Sequence, residues 1–205
     1  YAGSVTLSQQ LLHLQPREMP YQICFKKKLS IKPAPSYSMS VQDSFGNPCT
    51  RLEFNQPHRI LSVVAEMEVE VQKRDVDTKF ESSPAWEKVV QDCLYRGHIT
   101  LPNELLEALP FRFESPFIHL KHHFSDYAQD CFPSGRPLLL AINALMNKIF
   151  KEFSFDPEAT HIGTPLLEVL ERKRGVCQDF AHLMLACLRS LGLPARYVSG
   201  YLLTN

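Results

Sequence analysis

Cys177 is the residue of this chain whose type and position most clearly suit covalent chemistry. It follows the run Arg172-Lys173-Arg174-Gly175-Val176 and precedes a predicted helix over residues 179–191. Unpaired amides at a helix start and neighbouring cationic side chains stabilise a thiolate, which is the nucleophilic form of cysteine. The same amides are suitable donors to an oxyanion, and Gly175 leaves the approach to the sulfur open. The spacing therefore favours acyl transfer through Cys177.

The other five cysteines are interpreted as structural. Cys187 lies in the apolar run of the same predicted helix, where a cysteine is most simply a small buried hydrophobe. Helix position alone leaves that interpretation open for Cys177 as well. The remaining cysteines are Cys24, Cys49, Cys93 and Cys131. The six include no CxxC pair and no Cys/His spacing typical of zinc sites, so the sequence predicts no metal site and no cofactor.

A nucleophilic cysteine needs a base, usually a histidine, and spacing identifies none among the eight histidines. His182 comes five positions after Cys177, which turns it about 140 degrees away around a helix. We expect His182 to bond locally instead, to Asp179 or Gln178. His161 precedes Cys177 more closely than the histidines near residue 120 do, but no neighbour in the sequence orients it.

Three histidines lie close together at positions 119, 122 and 123. Such a group resembles a metal site at first sight, because imidazole is a common zinc ligand. Their neighbours Lys121 and Asp126 are charged, so we interpret the segment as a solvated connection instead.

The composition predicts a globular chain and excludes several classes of partner. The 205 residues are 44% hydrophobic, and 22 basic residues balance 22 acidic ones. A formal net charge of zero gives no field that favours nucleic acid or anionic lipid. No apolar stretch approaches the roughly 20 residues of a membrane-spanning helix. We expect no nucleic-acid and no membrane partner and, with no visible secretory signal, a cytoplasmic location.

Period-2 patterning predicts an antiparallel β domain over residues 1–80. Alternate residues from Val63 to Val71 are apolar, which is typical of a half-buried strand. A second strand places the apolar residues between Tyr21 and Ile31 on one face, with Lys27 as its one discordant residue. Turn-forming residues separate the runs at 33–38 and 45–48.

Helical patterning predominates over residues 81–205. Apolar residues recur every three or four positions from Leu138 to Phe153, which predicts one buried helical face. Two Ser/Thr-Pro pairs, at 83–84 and 164–165, predict capped helix starts, and the second helix is expected to end near Arg172.

Residues that typically end a helix follow the predicted helix over 179–191. Gly192 is expected to close it as a left-handed cap, with Pro194 two residues beyond. Alternation over residues 196–203 then predicts a strand.

Two longer runs carry a resemblance to a known family. Residues 174–183, RGVCQDFAHL, and residues 188–201, LRSLGLPARYVSGY, closely resemble the bacterial transglutaminase-like superfamily. The Thr-Pro-Leu helix start at 164–166 is similar to the element that precedes the cysteine in that family. Residues 14–17, 43–47 and 57–58 resemble the β domain that precedes the catalytic core in one bacterial branch.

The resemblance implies an α+β fold and a catalytic role for Cys177. The expected architecture is an N-terminal antiparallel β domain followed by a papain-like transglutaminase core, present mainly as its helical half. Cys177 would be the nucleophile of a Cys-His-Asp triad and would attack an amide carbonyl of a protein or peptide to form a thioester. Hydrolysis, as in a protease or isopeptidase, and acyl transfer to an amine both remain open.

In that family the histidine and aspartate follow the cysteine on later strands, and no histidine of this chain matches their motif. We therefore expect residues 81–205 to be a truncated catalytic core that is inactive or nearly so by itself. The edge of the strand predicted near the end would then favour self-association. The alternative hypothesis is a noncatalytic protein-interaction module on a transglutaminase-like fold.

Overall fold

The computed structural model of this chain describes residues 1–73, 79–94, 97 and 100–201. The chain divides into two compact units, Tyr1–Asp77 and Thr78–Asn205, here called the first and second units. The first unit is built of antiparallel strands and the second mostly of helices. The predicted α+β class is therefore confirmed.

In the described part of the first unit, five strands form two antiparallel sheets. They are β1 (Ser8–Leu12), β2 (Gln22–Lys32), β3 (Tyr37–Gln42), β4 (Pro48–Phe54) and β5 (Ser62–Val71). One sheet has the order β1-β4-β3 and the other pairs β2 with β5. The central strand β4 supplies the buried residues Cys49, Leu52 and Phe54. The core of this unit therefore lies along β4.

A β-bulge in β2 overturns the prediction that its apolar residues share one face. The pairing with β5 shifts by one residue between Cys24 and Lys26. One inserted residue reverses the alternation, so Ile23 and Leu29 lie on opposite faces of the sheet. Lys27 follows the bulge and falls on the same face as Leu29, so it remains the discordant residue of the strand.

The β2-β5 sheet is also less covered than the alternation suggested. None of the described residues of β2 or β5 is buried. Cross-strand pairs of opposite charge, Lys26 with Glu68 and Lys28 with Glu66, line one face. Such pairs stabilise a solvated sheet face. The opposite face, which carries Leu29 and Met67, is partly covered.

Six α-helices, two short strands and two 3₁₀ helices, Phe80–Ser82 and Leu109–Arg112, form the regular structure in the described part of the second unit. The α-helices are α1 (Trp86–Asp92), α2 (Asn103–Ala108), α3 (His122–Gln129), α4 (Leu138–Glu152), α5 (Leu166–Arg172) and α6 (Cys177–Ser190). The strands β6 (Ser154–Phe155) and β7 (Arg174–Gly175) pair in parallel. The segment around His122 and His123 is thus the start of a helix, and its interpretation as a connection was wrong.

The core of the second unit forms around α4 and α6. Ala141, Leu145 and Ile149 are the buried residues of α4, which confirms the face predicted from its periodicity. From α6, Leu183 and Cys187 are fully buried in the same cluster. These contacts fix α6, the helix that begins at Cys177.

Two predicted helix caps are wrong. Ala85, and not a serine, is the N-cap of α1, and the Ser83 hydroxyl donates to a carbonyl of the preceding turn. Pro165 is the N-cap of α5. Thr164 instead accepts a hydrogen bond at Oγ1 from the backbone N–H of His161 at 2.9 Å. The Thr164 hydroxyl bonds locally, whereas the Ser83 oxygen also accepts a hydrogen bond from the Leu139 backbone N–H at 3.0 Å, in the first turn of α4. Neither hydroxyl therefore caps the helix it was expected to cap.

In the C-terminal part of the second unit, the structure agrees with the prediction from the sequence only as far as Gly192. This glycine has φ +84° and closes α6 as predicted. Residues 196–201 form no strand, which contradicts the predicted strand over 196–203, and residues 202–203 lie outside the described part of the chain. Among the described helices, none has the length and apolarity that crossing a membrane requires.

Candidate active site

Cys177 is the first residue of α6, two positions earlier than the predicted helix start, and its side chain is exposed. The first-turn amides of a helix have no acceptor within the helix, so their dipoles point toward this thiol. All six cysteines lie in the described part of the chain and none is disulfide-bonded. Cys49, Cys93, Cys131 and Cys187 are buried and Cys24 is partly covered, which leaves Cys177 as the accessible thiol.

A buried carboxylate anchors the turn that carries Cys177. Asp179 is only 9% exposed, and its Oδ2 accepts hydrogen bonds from the Val176 backbone N–H at 2.8 Å and the Thr160 hydroxyl at 2.6 Å. A carboxylate in the first turn of a helix also complements the positive end of the helix dipole. Asp179 therefore fixes the start of α6 and ties it to the loop that contains Thr160.

Gly175 makes room for this anchor. A Cβ at position 175 would lie 2.6 Å from Asp179 Oδ2, so the carboxylate or the backbone would have to shift. Gly175 also belongs to β7, and its carbonyl accepts a hydrogen bond from the Asp156 backbone N–H at 2.9 Å. The sequence suggested that this glycine opens the approach to the sulfur, and the structure shows that it accommodates the carboxylate two residues after Cys177.

The cationic run before Cys177 is committed to acidic partners. The pairs are Arg172 with Glu168 at 2.9 Å, Lys173 with Glu152 at 3.0 Å and Arg174 with Asp156 at 4.0 Å. Each carboxylate offsets the charge of its cation, so the field at Cys177 comes mainly from the helix start. The expected cationic contribution is correspondingly small.

A shallow cavity of about 150 Å³ adjoins the start of α6. It is lined by Thr160, His161, Ile162, Val176, Gln178 and Asp179. His161 therefore lies on the same surface depression as the neighbours of Cys177, although the sequence offered nothing to orient it. Its Nδ1 accepts a hydrogen bond from the Gly163 N–H at 3.1 Å, so a neutral ring carries its proton on Nε2.

His182 makes ring contacts in place of the predicted local hydrogen bond. It stacks on Phe117 with ring centroids 5.7 Å apart and meets Tyr197 edge-on at 5.4 Å. Burial lowers the pKa of His182 below its usual 6.5, although the negative charge of Asp179 opposes the shift. His182 is therefore mainly neutral at pH 7, and its ring connects α6 to Phe117 and Tyr197.

The histidines at 119, 122 and 123 do not form a site. The His122 and His123 rings lie 4.0 Å apart on the exposed first turn of α3, and His119 approaches Glu114 at 4.0 Å. Among the described residues, the one group with ligand atoms close enough to share a metal ion is His13, Asp43 and Cys49, in the first unit.

The buried thiols of the second unit differ from Cys177 in their chemistry. Burial raises the pKa of Cys187 to about 12, so this thiol stays protonated at neutral pH. Burial also raises the pKa of Cys93 and of Cys131. Their predicted structural roles agree with this inert, protonated state.

Comparison with known families supports the resemblance seen in the sequence. Residues 1–70 match the bacterial transglutaminase-like N-terminal region, and residues 125–205 match the transglutaminase-like superfamily core. The chain belongs to the transglutaminase-like superfamily. Cys177 and its anchor Asp179 both lie within the second match.

Relatives of this transglutaminase-like chain occur in mycobacteria. The uncharacterized protein Rv2569c of Mycobacterium tuberculosis is 33% identical over 208 aligned residues, covering 100% of this chain and 63% of that protein. The uncharacterized protein ML0607 of Mycobacterium leprae is 28% identical, covering 98% of this chain and 67% of that protein. The chain thus spans 63% of the length of the first of these relatives.

A crystal structure supports the fold. A putative cysteine protease from Cytophaga hutchinsonii matches with a TM-score of 0.63 and 17% identity, covering 94% of this chain and 61% of that one. At this identity the likeness shows a shared fold alone.

The sequence pointed to Cys177, whose catalytic role remains a prediction, but it gave no sign of the hydroxyl that helps to hold the start of α6. Thr160 lies 19 residues before Asp179, and its partnership depends on the fold bringing the two together. The nearest signal in the sequence is Asp179 itself, an acidic residue in the first turn of a helix, where it commonly accepts a backbone hydrogen bond.

Proposed function

We propose that Cys177 is the nucleophile of a cysteine enzyme that acts on amide bonds of proteins or peptides through a thioester intermediate. The observation that carries the proposal is an exposed thiol on the first turn of a 14-residue helix. A buried carboxylate holds the start of that helix through a backbone hydrogen bond. Membership of the transglutaminase-like superfamily supports it.

The reaction would proceed in two steps at the Cys177 sulfur. The thiolate attacks the amide carbonyl, an S–C bond forms, the C–N bond breaks, and the departing amine takes a proton from a general acid. The carbonyl oxygen gains negative charge in the transition state, and first-turn amides of α6 are suitable donors to it. Water or a second amine then cleaves the thioester and regenerates the thiol.

The general acid and base would be a histidine oriented by an aspartate, as the family resemblance implies, with both residues following the cysteine in the sequence. This chain spans 63% of the length of its mycobacterial relative Rv2569c. The activity proposed here is therefore that of the whole protein, to which these residues contribute the nucleophile and its helix.

Acylation by an activated ester tests the proposal on the 205-residue chain. p-Nitrophenyl acetate supplies its own good leaving group, so acylation by this ester does not require the general acid. We expect one acetyl group per chain, mapped to Cys177 by peptide mass spectrometry, with release of one equivalent of p-nitrophenol. Cys177→Ser should abolish this thioester, and Cys187→Ser is the matched control that should retain it.

The second step separates hydrolysis from acyl transfer. Adding a primary amine such as glycine methyl ester to the acetylated chain should yield the acetylated amine if the thioester is open to aminolysis. Acetylation spread over lysines and several cysteines, unchanged by Cys177→Ser, would contradict the proposed nucleophile and favour the noncatalytic interaction module.

A further inference from the structure

Three side chains able to bind a metal converge at one end of the β1-β4-β3 sheet in the first unit. His13 directly follows β1, Asp43 directly follows β3, and Cys49 lies on the central strand β4. The register places Leu12 opposite Thr50 and Val41 opposite Cys49, so the three positions are neighbours across the sheet. His13 and Cys49 are 36 residues apart, and for that reason their spacing resembles no zinc motif.

The distances between the three ligand atoms suit a small metal ion. Cys49 Sγ lies 3.1 Å from His13 Nδ1, which lies 3.9 Å from Asp43 Oδ2. All three atoms lie within 4.8 Å of one another. Tetrahedral Zn²⁺, with bonds of about 2.0–2.3 Å, places its ligand atoms roughly 3.3–3.6 Å apart. Side-chain rotations that move these ligand atoms by about 1 Å would therefore place the sulfur, nitrogen and oxygen in the coordination shell of one zinc ion.

The Asp43 carboxylate is already oriented by its own turn. Oδ1 accepts hydrogen bonds from the backbone N–H groups of Phe45 and Asn47, at 2.9 and 2.8 Å. The Asn47 side-chain amide donates to Oδ2 at 2.9 Å, and this bond is the main cause that lowers the pKa of Asp43 below its usual value. Outer hydrogen bonds of this kind fix ligating carboxylates in metal sites.

The group combines a sheltered sulfur with an accessible edge. Cys49 is 2% exposed, whereas the His13 side chain is 51% exposed and that of Asp43 is 20% exposed. An ion can therefore reach the sulfur from the side of the imidazole, and that side leaves room for water as a fourth ligand. A thiolate with an imidazole favours zinc over magnesium or calcium, which prefer oxygen ligands.

We propose that His13, Asp43 and Cys49 bind one Zn²⁺ ion, with water completing a tetrahedral shell. Binding forms a Zn–S bond and releases the proton of the Cys49 thiol to solvent, with no change in oxidation state. The site lies in the first unit and is independent of the function proposed for Cys177.

Metal titration of the full 205-residue chain tests this site. The Cys177→Ser background removes the exposed thiol, which would otherwise compete for metal. Isothermal titration with zinc chloride should give one ion per chain. Titration with Co²⁺ should produce the absorption band of thiolate-to-cobalt charge transfer, which reports directly on sulfur ligation.

Substitutions at the half-exposed ligand decide the outcome without threatening the fold. In the same background His13→Gln should weaken zinc binding by at least about tenfold. His119→Gln, which changes an exposed histidine of the second unit, should leave zinc affinity unchanged. Cys49→Ala should remove the cobalt charge-transfer band, and Asp43→Asn should weaken binding by a factor similar to that for His13→Gln.

Two results would overturn the proposal. One is zinc affinity that is equal in the parent and His13→Gln chains, and the other is a cobalt spectrum without the thiolate band. If Cys49→Ala fails to fold, the parent spectrum and the His13→Gln titration still decide between a zinc site and a simple hydrogen bond between Cys49 and His13.

Discussion

The two cysteines of α6 show how position along one helix determines the chemistry of a thiol. Cys187 lies in the buried middle of the helix at 0% exposure, and burial raises its pKa to about 12. Cys177 lies exposed on the first turn, where the backbone amides have no acceptor within the helix. One helix therefore contains an unreactive, buried thiol and an accessible one. The hydrogen bonds of Asp179 hold the turn that carries the accessible thiol.

The largest effect on stability is expected from Gly175→Ala, which adds a methyl group against the Asp179 carboxylate. The new Cβ would lie 2.6 Å from Asp179 Oδ2, so either the carboxylate or β7 must move. We expect a loss of about 3 kcal/mol in the free energy of unfolding, from overpacking together with the lost hydrogen bonds. Urea unfolding followed by the fluorescence of Trp86, the single tryptophan, reports on the second unit.

Gly200→Ala is the matched control, because nothing lies within 4 Å of a Cβ built there. It should leave the unfolding midpoint unchanged. Equal midpoints for the Gly175 variant and the wild type would show that Asp179 does not need the space at position 175.

Asp179→Ala removes the anchor without adding bulk. The Val176 N–H and the Thr160 hydroxyl lose their acceptor, which should cost about 2 kcal/mol of stability. Glu171→Ala, at an exposed position of α5, should change stability by less than about 0.5 kcal/mol in the same fluorescence assay. A loss for Asp179→Ala no greater than that of the control would mean that the first turn of α6 is held by other contacts.

Thr160→Val isolates the contribution of one hydrogen bond to Asp179, because it removes the hydroxyl at nearly constant side-chain shape. Asp179 keeps its bond to the Val176 N–H, so the expected loss is about 1 kcal/mol. Thr160→Ser retains the hydroxyl and should lose distinctly less in the same urea titration. If the serine and valine variants are equally destabilised, packing of the methyl group matters more than the hydrogen bond.

The smallest effect concerns pH and His182. Its pKa is lower in the folded chain than its usual 6.5, so the unfolded chain binds the proton more readily. Stability is therefore fully retained above pH 6.5 and decreases as the pH falls from 6.5 toward the lowered value. In urea titrations at pH 7.5 and 5.0, His182→Phe should lose less stability on acidification than the wild type.

His123→Phe provides the comparison for this experiment, because that histidine is exposed on α3. It should show the acid sensitivity of the wild type. The same pH response in all three chains would exclude His182 as the source of the effect.

The sequence predicted the parts of the fold that depend on local patterning. The apolar recurrence from Leu138 to Phe153 defined the buried face of α4, and Gly192 marked the end of α6. Local patterning failed where one residue changes the register, as at the bulge after Cys24 in β2. It also failed for α3, whose eight residues include two histidines and few apolar side chains.

The candidate site divides in the same way. The exposed position of Cys177 at a helix start was predictable from the sequence, and its role as a nucleophile remains a prediction. The Thr160–Asp179 hydrogen bond and the His13–Asp43–Cys49 group were not predictable, because each joins residues far apart in sequence. The space that Gly175 leaves for Asp179 was not predictable for a related reason, since only the folded chain shows that Asp179 lies against it.

The most direct test of the account compares alkylation rates of individual cysteines in the folded and the urea-unfolded chain. Limiting iodoacetamide at pH 7, followed by peptide mapping, measures each thiol separately. Folding should speed Cys177 about two- to fivefold through the helix start. It should slow Cys187 at least roughly a thousandfold, because a pKa of about 12 leaves almost no thiolate. A Cys177 that reacts more slowly in the folded chain than in the unfolded one would contradict its role as the nucleophile.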